Sequence, residues 1–277
     1  MYRIAVATCA FLAFLLPATA AEPVIPNFWD TRERLQKPDL GELQRLRFLT
    51  TIDFPPFNFL DREGRLSGFH VELARAICTE LELSEACQIQ ALPWEELPGA
   101  LSSGQGEAII AGIAVTAQSR QQYGFSRPYL RLPARFIARK EAGLTEPLHE
   151  ALADKRIGVL DGSAHERILR DLFPRLRPVT YSRADWMYED LREGNTDAVF
   201  GDGMRLSFWL AGSGSDGCCR FAGGPYLLPS YLGNGMAIAT SLDTPELAAA
   251  FDYALREINA NGTFTELYLR YFPVSFF

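Results

Sequence analysis

The stretches LSSGQGEAIIAG (101–112) and LREGNTDAVFGD (191–202) decide the fold. Each opens on a leucine that closes a helical pattern and meets a glycine at the fourth position. Each then reaches an acid at the seventh and runs into apolar residues. The glycine suits the left-handed conformation that terminates helices. The apolar run that follows reads as a buried strand. Two copies of one helix–strand unit, about 90 residues apart, predict two similar lobes at the low end of ordinary domain size.

Working outward, the pattern alternates strands and helices, which predicts α/β lobes built on parallel sheets. RFLTTI (47–52), CQIQAL (87–92) and EAIIAGIAV (107–115) read as strands. GFHVELARAICTEL (68–81) has helical apolar spacing, and WEELPGALSS (94–103) reads as a second helix. PELAAAFDYALREINANGTFTELYLRYF (245–272) reads as two amphipathic helices joined at Asn261-Gly262 that return to cover the first lobe. Two chain crossings follow, near 132–136 and 231–236. The expected division is a leader over 1–20, an arm over 21–45, lobe 1 over 46–132 and 232–277, and lobe 2 over 133–231. Two crossings make a hinge, the mechanical requirement for closure over a ligand. In such sheets ligands bind beyond the carboxyl ends of strands, so Gly112–Thr116 and Asp202 are expected to form facing walls of a cleft.

The first residues point to export. Arg3 precedes the apolar run Ile4–Leu16, Pro17 breaks it, and Ala18-Thr19-Ala20 offers a cleavage site near Ala20. The run is shorter than the roughly 20 residues a spanning helix needs. A periplasmic protein is expected. The formal charge of −7 supplies no basic footprint for nucleic acid. Residues 22–45 are polar and proline-broken, and read as an arm on the surface. Beyond the leader stand Cys78, Cys87, Cys218 and Cys219, an even count that in an exported chain favours disulfides. A Cys78–Cys87 staple from helix to strand is geometrically easy. Cys218 and Cys219 are then left to pair with each other or to remain thiols. No histidine stands at ligand spacing from a cysteine pair, so no metal is expected.

Four segments stand in a telling order: TTIDFPPFNFLDREGRLSGFHVELARAI (50–77), EAIIAGIAVTAQSRQQYGFSRPYL (107–130), KRIGVLDGSAHERIL (155–169) with TDAVFGD (196–202), and NGMAIA (234–239) with NANGTFTELYLRYF (259–272). Together they resemble the polar-amino-acid branch of the periplasmic solute-binding proteins of ABC importers, the bacterial extracellular solute-binding protein family 3. The resemblance covers nearly all of 46–277. It implies an α/β, two-lobed periplasmic-binding-protein-like fold of type II with two hinge crossings. It also implies an amino-acid-like small-molecule ligand and an importer permease as partner. The Cys78–Cys87 staple resembles one seen in basic-amino-acid members.

Position by position, the resemblance makes Phe54 the aromatic that stacks on the ligand side chain and Trp94 the opposing wall. Gly112, Ala114 and Thr116 match backbone and hydroxyl donors at the polar end. Gly162-Ser163-Ala164 opens a helix whose N–H groups favour a carboxylate, although Ser163 also suits an ordinary cap. Asp202 matches the acid that takes the α-ammonium. The family's carboxylate-clamping arginine falls on Ser119, and the arginine here is Arg120, one residue later. On a helix that shift turns a side chain by about 100°; the expectation is a remodelled turn that lets Arg120 reach the cleft. The family's acid for basic side chains is matched by Thr51, which argues against lysine, arginine or histidine. His70 replaces a family acid and reads as a partly exposed helix-start residue. His149 and His165 read as surface residues. Arg127 adds positive charge near the hinge, and Asp161 stands where a ligand side chain reaches.

Two other functions compete with a binding protein. A cyclohexadienyl-type dehydratase on the same fold would need a proton-donating acid, for which Asp202, Asp161 and Glu107 are candidates. A companion of quinoprotein dehydrogenases would use the cleft as a docking surface, with Phe28 and Trp29 of the arm available to assist. The expectation remains a monomeric receptor without cofactor or catalytic residues.

Overall fold

The computed structural model describes residues 25–277 other than 31, 42 and 273. The leader lies outside the described residues. In the first sheet, β1 (Leu46–Thr50) buries Leu46, Phe48 and Leu49 completely. It runs parallel to β5 (Cys87–Ala91) on one side and β6 (Ala108–Ile109) on the other. β13 (Ala239–Thr240) joins β6 antiparallel and carries β7 (Gly124–Phe125) antiparallel at the edge, giving the order β5-β1-β6-β13-β7. A small antiparallel sheet of β2 (Asp53–Phe54), β3 (Asn58–Leu60) and β4 (Leu66–Ser67) sits beside it. Each fully buried Phe or Leu stabilises this lobe by roughly 2 kcal/mol.

One face of the sheet is covered by α1 (Phe69–Glu80), α8 (Pro245–Ala260) and α9 (Thr263–Tyr271), with α8 and α9 both packed on α1. Phe251 of α8 lies 5.4 Å from Phe48 of β1. Gly262, at φ +87°, makes the turn between the last two helices. The other face carries α2 (Leu97–Ser102), preceded by a single helical turn at Trp94–Glu96.

The second sheet has β9 (Arg156–Leu160) parallel to β10 (Arg177–Tyr181) and β11 (Ala198–Asp202). Two antiparallel strands, β8 (Ala134–Arg139) and β12 (Cys219–Tyr226), complete the order β10-β9-β11-β8-β12. Helices α3 (Leu148–Ala151), α4 (Ala164–Leu172), α5 (Ala184–Glu193), α6 (Gly203–Ala211) and α7 (Pro229–Leu232) belong to this lobe. Both sheets are mixed rather than wholly parallel. The antiparallel members are the stretches by which the chain enters or leaves a lobe. It crosses between Phe125 and Ala134 and returns between Tyr226 and Ala239, and the two passages meet where Met236 bridges Ala114 and Leu130.

The arm is mostly exposed or half-buried, as a surface segment would be, but it is anchored at one point. Its described residues have no regular secondary structure, yet Trp29 is only 8% exposed and joins the core of the first lobe. Arg127 lies 5.4 Å over its ring, bonds Glu33 at 2.7 Å, and takes Asp252 through its backbone N–H at 2.6 Å. Phe28 packs edge-on against Phe277 at 5.8 Å, with Arg131 5.0 Å above it. Its aromatic pair is therefore spent on this chain and is not a free docking element. Cys78 is disulfide-bonded to Cys87, and Cys218 to Cys219.

Candidate functional site

The carboxyl ends of β1, β5 and β6 gather the lobe-1 candidates. Gly112 follows β6 at φ +82°, in the left-handed region. A Cβ there would stand 2.8 Å from Cε1 of Phe54, so the missing side chain lets the ring lie directly on the backbone. Phe54 is half-buried and stacks on Phe57 at 4.7 Å. Trp94 is 48% exposed. It closes a pocket of about 200 Å³ with Thr51, Ile52, Asp53, Ala91, Leu92 and Pro93. The strand expected over 107–115 ends at Ile109, because the left-handed Gly112 turns the backbone out of the sheet.

The turn after Gly112 is built inward on itself. Thr116 donates its backbone N–H to Ser119 Oγ at 2.9 Å, and Ser119 donates its N–H to Thr116 Oγ1 at 3.0 Å. The Ser119 hydroxyl then donates to the Ala114 carbonyl at 2.9 Å. Thr116 thus spends both groups locally, in a reciprocal box of the kind that starts helices. Arg120 is exposed, makes no ion pair among the described residues, and lies 6.0 Å over the ring of Phe125 on the edge strand.

In the second lobe, Ser163 caps α4. Its Oγ accepts from Glu166 N–H at 3.1 Å and donates to the Leu160 carbonyl at 2.7 Å. Glu166 itself accepts from Gly162 N–H at 2.8 Å and pairs with Arg170, which holds its carboxyl below the usual range. The backbone N–H groups of Ala164 and His165 have no acceptor among the described residues. Asp161 is exposed beside them.

Asp202 ends β11 and caps α6, accepting from Arg205 N–H at 2.8 Å. This capping role explains part of why an acid follows a buried strand. It has no ion-pair partner among the described residues. Burial pushes its carboxyl up, against the backbone N–H and charge of Arg205. Glu107 stands at the other end of its strand, bonded to Arg45 and to the Arg47 N–H, which removes it from the carboxyl-end cluster. No hydrogen bond or ring contact links the lobe-1 candidates to Ser163, Ala164 or Asp202 among the described residues. Nor does any group of three His, Cys, Asp or Glu residues there suit a metal ion.

Two histidines differ from their sequence reading. His70 is completely buried, with Nδ1 2.7 Å from Asn58 Oδ1 and Nε2 2.8 Å from the Tyr129 hydroxyl. Burial holds its ring at about 3, so it is neutral. His165 is half-buried, edge-on to Phe200 at 6.0 Å. Burial, and then the charge of Arg205, bring it down to about 4. Asn58 and Tyr129 were not singled out from sequence; a lone Asn after Pro-Pro-Phe and a Tyr in Arg-Pro-Tyr give no such signal.

The match to the family of bacterial extracellular solute-binding proteins, family 3, spans residues 46–274. The chain belongs to this family. An arginine-binding periplasmic protein of Mannheimia haemolytica is 31% identical, over 78% of this chain and 86% of that one. The ABC transporter arginine-binding protein 1 of Escherichia coli K12 is 28% identical, over 83% of this chain and 91% of its own length. In fold, a polar amino acid ABC uptake transporter substrate-binding protein of Streptococcus thermophilus superposes with a TM-score of 0.69 at 20% identity, covering 84% of this chain and 88% of that one. The family member described here is thus a two-lobed solute-binding protein, and among the described residues no helix is long and apolar enough to cross a membrane.

Proposed function

We propose that this protein is a periplasmic receptor that captures one small amino-acid-like solute between its lobes and delivers it to an ABC importer. The observation behind this reading is Asp202. Its carboxylate is pushed up by burial even against the charge of Arg205, has no ion-pair partner among the described residues, and stands at the strand end where such sheets bind ligands. A ligand α-ammonium would supply the missing charge. Phe54, held on Gly112, and Trp94 would flank the ligand side chain. With Arg120 laid over Phe125, the free N–H groups of Ala164 and His165 at the α4 terminus are the better donors for the α-carboxylate. The arginine named for the relatives does not pass to this chain, because Thr51 stands where the family's acid for basic side chains falls.

Titration calorimetry against the twenty amino acids, opines and small polyamines tests this. Saturable binding of one of them supports the reading, and absence of binding at millimolar concentration across the panel ends it. The raised Asp202 carboxyl also favours a second reading, since a proton donor needs that shift. Turnover of prephenate or arogenate by the purified protein would establish the dehydratase in place of the receptor.

A further inference from the structure

The most unusual buried feature of the first lobe is a single file of four polar side chains. Tyr129, 1% exposed, contacts His70; His70 contacts Asn58; and Asn58 Nδ2 donates to Thr51 Oγ1 at 2.7 Å. Thr51 is the outer end of the file and lines the Trp94 pocket.

The polarity of the file follows from its inner end. The Tyr129 hydroxyl has no hydrogen-bond partner other than His70 among the described residues. A buried hydroxyl hydrogen left unbonded is expensive, so Tyr129 donates to Nε2. Nε2 is then the acceptor of a neutral ring, and Nδ1 carries the hydrogen. Nδ1–H donates to Asn58 Oδ1, which turns the amide so that its Nδ2–H faces Thr51. Thr51 accepts, and its own hydrogen, with no acceptor among the described residues, is left for a ligand in the pocket that Thr51 lines. Burial, which keeps His70 neutral, maintains this sense because a protonated ring would donate from both nitrogens.

The same pocket holds Asp53, an exposed carboxylate with no ion-pair partner among the described residues. The pocket therefore presents one donor that cannot turn around and one acceptor that cannot donate. An ammonium or guanidinium end would satisfy Asp53 but leave the Thr51 hydrogen unpaired. A carboxylate end would take the Thr51 hydrogen but meet Asp53 with like charge. A primary carboxamide has a carbonyl for the first and an NH₂ for the second.

We propose that the Tyr129–His70–Asn58 file fixes Thr51 as a hydrogen-bond donor, and that Thr51 and Asp53 together select an amino acid whose side chain ends in a neutral carboxamide. This rests on the receptor reading above and deepens it. Here Thr51 and Asp53 touch ligand, whereas His70 and Asn58 are positioning residues.

Four five-carbon probes separate the possibilities: L-glutamine, L-glutamate, L-ornithine and L-norvaline. The wild-type protein is expected to bind glutamine at least about tenfold more tightly than the other three, the worth of one well-made hydrogen bond. Thr51→Val should remove most of that advantage over norvaline. Asn58→Asp replaces the donating amide by an acceptor, so Thr51 must donate inward and offer the pocket only lone pairs. In that variant the preference is expected to move from glutamine toward ornithine, while thermal unfolding reports that the fold is kept. Independently of any ligand, ¹⁵N NMR of the histidine ring should show the Nδ1–H tautomer for His70 from pH 5 to 8. An Nε2–H tautomer overturns the proposal, and so does a wild-type preference for glutamate or ornithine. If other amino acids bind but none of the four does, this inference fails and the receptor stands. If no amino acid binds at all, the receptor reading fails, and the carboxamide selection with it.

Discussion

The two copies of the repeated unit agree at one end and part at the other. At the amino ends of their strands the same bonds recur, made by Arg45 and Arg47 in one copy and by Arg156 alone in the other. Glu107 accepts the Arg47 N–H at 2.6 Å, and Asp197 accepts the Arg156 N–H at 2.8 Å. Arg45 bonds Glu107 and the Gly104 carbonyl, as Arg156 bonds Asp197 and the Gly194 carbonyl. The acid therefore pins the start of the neighbouring strand, and the arginine ties that acid to the helix-ending glycine. At the carboxyl ends, one copy finishes on Gly112, under Phe54, and the other on Asp202, capping α6. The repetition records scaffold, and the proposed ligand contacts lie where the copies diverge.

The comparison can be broken most severely at Gly112. Gly112→Ala puts a methyl into a left-handed residue and 2.8 Å from the Phe54 ring. A loss of about 2 kcal/mol in stability is expected from strain and displacement, together with loss of ligand binding, read by denaturant unfolding and calorimetry. Gly201→Ala is the matched control in the other lobe, where the nearest atom would be 3.8 Å away; it should change stability far less.

Asp202→Asn comes next. Asparagine still caps a helix, so unfolding should barely move, while ligand affinity falls about tenfold or more with the lost charge. The raised carboxyl also predicts weaker binding as pH falls toward it, because the protonated acid no longer attracts an ammonium. That dependence should be absent in the variant. The scaffold end should behave in the opposite way. Asp197→Asn and Glu107→Gln are each expected to cost about 1 kcal/mol of stability without changing the selectivity of binding. For Asp197, burial raises the carboxyl, but the Arg156 N–H and guanidinium outweigh it and the net shift is downward. Its contribution is present above the unfolded carboxylate range and disappears as pH falls through the folded value.

The remaining effect appears only in acid and belongs to His70. Its ring titrates near 3 when folded and near 6.5 when unfolded. The unfolded state binds the extra proton first, so stability declines gradually as pH falls below about 6.5. Thermal unfolding across pH 4–8 should show a shallower slope for His70→Gln.

The scaffold was legible because its signals are local. A glycine, an acid and an apolar run within twelve residues mark each copy, and the terminal helices show their periodicity directly. The buried His70 was not legible. Its neighbours Asn58 and Tyr129 stand 12 and 59 residues away, and α1 is covered by helices from the far end of the chain. Nor was the direction of Arg120. The one-residue displacement was visible, but the Thr116–Ser119 box that sets the turn appears only in three dimensions. The anchoring of the arm was hidden because its charge and prolines outnumber Trp29, which packs into the first lobe's core beneath Arg127.

The central claim is that Asp202 takes the α-ammonium of a captured amino acid. The most direct measurement is a calorimetric cycle pairing the best-binding amino acid and its des-amino analogue with the wild-type protein and Asp202→Asn. The account predicts that removing the amino group weakens binding about tenfold or more to the wild type and has little further effect in the variant. Equal losses in both proteins would show that the ammonium is held elsewhere and would contradict it.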